Sequence, residues 1–182
     1  MKKTQAALLR YLAGYALGIS LFMILIPYTI WLLSSTDNIL FKTHILPFDY
    51  VRLAVSIALF SVGMLFVVWS NTFLLFKGKG GPADIADITI SPRTKFLVTQ
   101  GPYKYTRNPM AFGANTVYIS IAIYLNSLGC LIVTAIFFLL TIIYVIPMEE
   151  RRLLDDFGTD YMKYKSETPA VIPRPKKISF RC

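Results

Sequence analysis

The sequence predicts an all-α integral membrane protein with four transmembrane helices, the last two forming a hairpin, followed by a tail helix on the cytosolic side. Three observations carry that expectation. The chain is 55% hydrophobic and only 16% charged, against about 45–50% and about 25% in soluble domains. Four apolar segments can cross about 30 Å of hydrocarbon. Lysine and arginine crowd the segments that four spans would leave on one side. At 182 residues the length suits one membrane domain, 1–182, and not several.

The first span is about 11–33, after Met1-Lys2-Lys3. Its apolar run is longer than the h-region of a signal peptide and no cleavage site follows, so it reads as a retained helix. The second is about 51–76 and starts after Pro47-Phe48-Asp49. The third, about 109–125, is short for a lone helix. The fourth is about 128–147. Only Asn126-Ser127, with Gly129 just beyond, separates the last two, which makes a tight hairpin.

Net charge is +9, and seventeen of the nineteen cations lie at the N-terminus, in 77–110 or after Pro147. Lys42 and Arg52 fall on the other side. That bias places both termini in the cytosol and makes a membrane, not a nucleic acid, the partner of this basic chain. The segments 77–110 and 147–175 then meet at one membrane face.

Within those segments the tail after Glu149 reads as helical, broken at Gly158, resumed through Tyr161 and Tyr164, and ended by Pro169 and Pro173. Gly78-Lys79-Gly80-Gly81 follows a spanning helix, not a strand, which argues against a nucleotide loop. Cys130 and Cys182 form no disulfide framework or metal pair, and a terminal Cys182 is not a prenylation box. His44 stands alone, so no zinc site or triad is expected.

Two clusters can carry chemistry. Glu149-Glu150 ends the fourth span. It is either a site for ammonium or hydroxyl donors or a solvated pair beside Arg151-Arg152. Arg107-Asn108-Pro109 opens the third. Asn108 suits an N-cap and Pro109 the first helical position. Equally, the Gly101-Pro102-Tyr103 turn with the helix N-terminus could hold a carboxylate.

In order, LVTQGPYKYTRNPMAFG (97–113), an apolar hairpin and PMEERRLLDDFGTDYMKYKSETPAVIPRP (147–175) resemble the membrane-embedded methyltransferases. These comprise the isoprenylcysteine carboxyl methyltransferases and the phospholipid N-methyltransferases. The resemblance covers the C-terminal half. It implies S-adenosyl-L-methionine as cofactor, with Leu97, Val98, Gly101, Tyr103, Arg107, Asn108, Pro109, Met110, Glu149 and Glu150 around it. Arg107 and Glu150 are the implied catalytic pair, Arg107 holding the cofactor's carboxylate and Glu150 serving as base. Tyr161, Tyr164 and Arg174 would close over it. The enzyme's part in the reaction would be alignment and desolvation. The implied acceptor is a lipid-like amine or a prenylcysteine-type carboxylate. Asn108 stands where carboxyl-methylating members carry histidine, and Val145 where they carry arginine, which tilts the expectation toward the amine. The alternatives are a nicotinamide-dependent sterol-type reductase and a non-catalytic membrane protein.

Overall fold

A computed structural model describes residues 9, 12–40, 45–80, 84–85, 88–89 and 94–174. His44, Lys42 and Cys182 lie outside them. Four helices make the bundle: α1 (12–40), α2 (Asp49–Gly78), α3 (Pro109–Tyr124) and α4 (Leu128–Glu167). Between α2 and α3 lie a two-residue antiparallel pair, β1 (Asp84–Ile85) and β2 (Ile88–Thr89), and a 3₁₀ turn at Gly101–Lys104.

Among the described residues, three helices are long and apolar enough to cross a membrane: Leu12–Ser35, Asp49–Gly78 and Leu128–Glu167. Helix α3 has 16 residues, about 24 Å at 1.5 Å per residue, which is short of a lone span. It is the central helix, with eight buried residues from Pro109 to Ala122, and its neighbours shield it.

Two prolines that would break a regular helix are absorbed. A widened π-turn at Ile19–Leu25 precedes Pro27, and another at Thr141–Val145 precedes Pro147. The local widening accommodates a ring that lacks an N–H and would clash with the carbonyl four residues back. Helix α4 therefore does not stop at Pro147. It carries Glu149 and Glu150 outward on its own axis, kinks at Gly158 (φ 50°, ψ −122°), and ends before Thr168-Pro169, where proline disfavours a helical predecessor.

Several hydroxyls in the apolar helices bond to their own backbone, while Asn71 Oδ1, Asn115 Oδ1 and Thr134 Oγ1 make no hydrogen bond among the described residues. Ser56, Ser70, Thr116 and Thr141 each donate to the carbonyl four residues earlier at 2.6–2.9 Å, the local bond that lets a hydroxyl sit in hydrocarbon.

The tightest crossing is α2 on α3. A methyl added at Gly63 would lie 2.7 Å from the Gly113 carbonyl oxygen, and one added at Gly113 would lie 2.7 Å from that of Gly63. Such close backbone approach drives helix association where lipid removes the hydrophobic force. Phe66 and Phe112 pack edge-to-face beside it, ring centres 4.9 Å apart. Below, Ile30, Val117, Tyr118, Ala122 and Cys130 form the core. Tyr118 Oη donates to the Phe22 carbonyl in the first π-turn at 2.8 Å.

The Gly78-Lys79-Gly80 stretch is a helix terminus. Lys79 takes the left-handed conformation (φ 51°), and its N–H returns to the Leu74 carbonyl. This is the usual way the last turn of a helix is closed.

Candidate active site

Because α3 and α4 form one hairpin, the start of α3 and the middle of α4 share one end of the bundle. Arg107 and Glu150, 43 residues apart, meet there: Arg107 Nη2 lies 2.7 Å from Glu150 Oε1. Their side chains are 11% and 12% exposed. The other Glu150 oxygen takes Lys165 Nζ at 2.7 Å. Arg107 Nη1 donates to the carbonyls of Lys165 and Thr168, at 2.6 and 2.8 Å. Arginine suits this place because its planar fork serves a carboxylate and two carbonyls at once.

The chain after α4 is a strap lying along 103–108. The Arg107 N–H donates to the Pro169 carbonyl at 2.9 Å and the Asn108 N–H to that of Ala170 at 3.1 Å. The Arg174 N–H returns to the Tyr105 carbonyl at 3.0 Å. Thr106 Oγ1 and Asn108 Nδ2 both donate to the Ala170 carbonyl, at 3.1 and 2.8 Å. Asn108 thus stands at the N-cap position before Pro109, but its side chain caps nothing. The strap offers its amide a long-range acceptor, and that bond replaces the local cap.

Tyr164 Oη donates to the Tyr103 carbonyl at 2.7 Å, tying α4 to the 3₁₀ turn. Burial, and then the Glu149 charge, push the Tyr103 phenol far above its ordinary pKa. Burial, and then Glu150, do the same for Tyr161. Both phenols stay protonated at any working pH and can donate hydrogen bonds but cannot act as bases. Glu149, next along α4, is 44% exposed, with Arg152 3.7 Å away.

Three buried polar atoms of this cluster, Arg107 Nε, Tyr161 Oη and Thr168 Oγ1, complete no well-formed hydrogen bond among the described residues, although Tyr161 Oη lies close enough to the Glu150 carboxylate to feel it. A buried polar group without a partner costs about 1–3 kcal/mol, so three at one place point to a ligand.

The structure therefore gathers Tyr103, Arg107, Asn108, Glu149 and Glu150 at one end. Pro109 is buried and Met110 half-buried in the first turn of α3. Gly101 (φ 60°) sits on the Phe73 ring, with no room for a side chain. Val98 packs instead against the end of α2 at Gly78, and half-buried Leu97 precedes it. Sequence reasoning missed Lys165 and Thr168. Thr168 carries a faint signal, as the residue held extended before Pro169. Lys165 carries none.

The helical bundle thus gathers a shielded charge pair at one end. Its family follows from comparison. The phospholipid methyltransferase (PEMT) family model matches residues 51–160, more than half of the chain, and the chain belongs to that family. It is a membrane methyltransferase acting on lipid. No curated protein matches the chain.

Proposed function

We propose that the protein transfers a methyl group from S-adenosyl-L-methionine to a lipid-like acceptor, an amine in preference to a carboxylate. Family membership favours this over a nicotinamide-dependent reductase. The observation that carries it is the set of unpartnered atoms around the Arg107–Glu150 pair. Their chemistry fits a zwitterionic amino acid bearing a ribose. Arg107 Nε, Tyr161 Oη and Thr168 Oγ1 can donate to its carboxylate, and Glu149 can accept from its ammonium or a ribose hydroxyl. Gly101, Tyr103, Asn108, Pro109 and Met110 frame that place from the α3 side, with Leu97 and Val98 farther out by α2.

When bound, the cofactor supplies an electrophilic methyl group. The chain's own contribution is alignment and exclusion of water. Both oxygens of Glu150 are engaged by cations, so its role is to hold Arg107 and Lys165 in place. An amine acceptor gives its proton to a carboxylate, and the more exposed Glu149 is the one we assign. The reading includes four spans, with α3 as the short third, and both termini on the cytosolic side, from the positions of the lysines and arginines.

Titration calorimetry of S-adenosylhomocysteine into the detergent-purified protein tests this, with Tyr161→Phe and Glu149→Gln alongside. Micromolar binding by the parent, weakened about tenfold in Tyr161→Phe by loss of one hydrogen bond to a charged group, supports the site. No binding by folded parent protein removes the cofactor assignment. Unchanged affinity in both variants moves the site elsewhere.

A further inference from the structure

A second feature lies on the outer side of the strap. Phe66 and Trp69 of α2, Tyr105, Pro173 and Arg174 line an open cleft of about 330 Å³. Its walls are almost wholly apolar. Trp69 and Tyr105 are packed with ring centres 6.3 Å apart. Arg174 is exposed, and its side chain has no acidic partner among the described residues. One wall belongs to a membrane-crossing helix. The other belongs to the strap whose carbonyls hold Arg107 and Asn108.

We infer that this cleft binds one acyl chain of an acidic phospholipid from the surrounding bilayer, with the phosphate on Arg174. The volume is at the lower end for a ligand site, enough for a stretch of one chain and too small for two. Tryptophan and tyrosine settle at the membrane–water interface, which puts the cleft at headgroup depth. A guanidinium there reaches the phosphate in bidentate fashion, as an ammonium does not. Charge complementarity selects an anionic over a zwitterionic headgroup, because a choline would bring a second cation to Arg174. The seated lipid bridges Trp69 on α2 to Pro173-Arg174 on the strap. Bilayer composition thereby acts on the segment that closes over Arg107.

The chain's two tryptophans make the test direct. Trp31→Phe leaves Trp69 as the sole indole, and the protein is placed in phosphatidylcholine nanodiscs. Low mole fractions of phosphatidylglycerol or phosphatidylcholine with brominated acyl chains are then added. The expected result is quenching of Trp69 at about tenfold lower mole fraction of the glycerol lipid, the selectivity of one charged hydrogen bond. That preference vanishes in Arg174→Gln, which keeps the backbone bond to Tyr105. Equal quenching by the two lipids overturns the proposal, as does a preference that survives Arg174→Gln. Quenching by neither means that the cleft admits no acyl chain, and overturns it as well. Quenching is read without turnover, so a failed cofactor titration leaves this result standing.

Discussion

The two ends of the bundle solve the same problem in opposite ways. At the end away from the site, the α3–α4 turn is held by one neutral side chain. Asn126, in the left-handed conformation (φ 54°), accepts from the N–H groups of Ile45 and Leu46 at 2.8 and 3.0 Å. Its amide donates to the Leu46 carbonyl at 3.1 Å. Ser127 then caps α4 by accepting from the Cys130 N–H at 3.1 Å. Both side chains complete their local bonding there. At the other end, the 101–108 segment is joined to α4 and the strap by a shielded charge pair, a lysine and six backbone carbonyls, and three polar atoms remain unsatisfied. Saturated bonding with neutral groups is what stability alone requires. Buried charge with spare bonding capacity at the opposite end is what a ligand site requires.

The comparison can be broken most forcefully at Glu150. Glu150→Ala leaves Arg107 buried without its carboxylate, and a loss of about 3–5 kcal/mol is expected. Thermal unfolding in detergent reads it, and a loss below about 1 kcal/mol would mean the pair is solvated in solution. The scaffold between the ends comes next. Gly113→Ala puts a methyl 2.7 Å from the Gly63 carbonyl oxygen and should cost about 1–3 kcal/mol by overpacking, with helicity by circular dichroism retained. Asn126→Ala sharpens the contrast, since it strips Ile45 and Leu46 of their acceptor. It should cost about 1–2 kcal/mol while leaving S-adenosylhomocysteine affinity unchanged. A binding defect there would show that the two ends are coupled. The smallest stability effect is the most telling. Tyr161→Phe removes a hydroxyl that completes no well-formed hydrogen bond, so stability should move by less than about 0.5 kcal/mol while cofactor affinity falls. A large destabilisation would mean that the hydroxyl already serves the fold.

Much of this was legible in the sequence because it depends on short-range rules. Helix positions follow from runs of apolar residues, the hairpin from Asn126-Ser127, and the end of α4 from Thr168-Pro169. The alignment of 101–110 with Glu149-Glu150 follows from hairpin connectivity alone. The tail after Glu149 is helical as its spacing suggested, and the π-turn before Pro147 is what lets the helix run on. Asn108 misled, because its capping propensity is local and its amide was claimed by Ala170, 62 residues on.

The sequence by itself determined a helical membrane chain, the order of its apolar helices and the methyltransferase family, and it supplied the residues proposed to carry its chemistry. Each of these is written in composition, in spacing or in a contiguous motif. The tertiary structure alone decided that Arg107 and Glu150 satisfy each other, that Lys165 and Thr168 join them, and that the strap leaves an aromatic cleft on its outer side. The physical reason is that which donor meets which acceptor across 43 to 64 residues is set by how close the helices can approach.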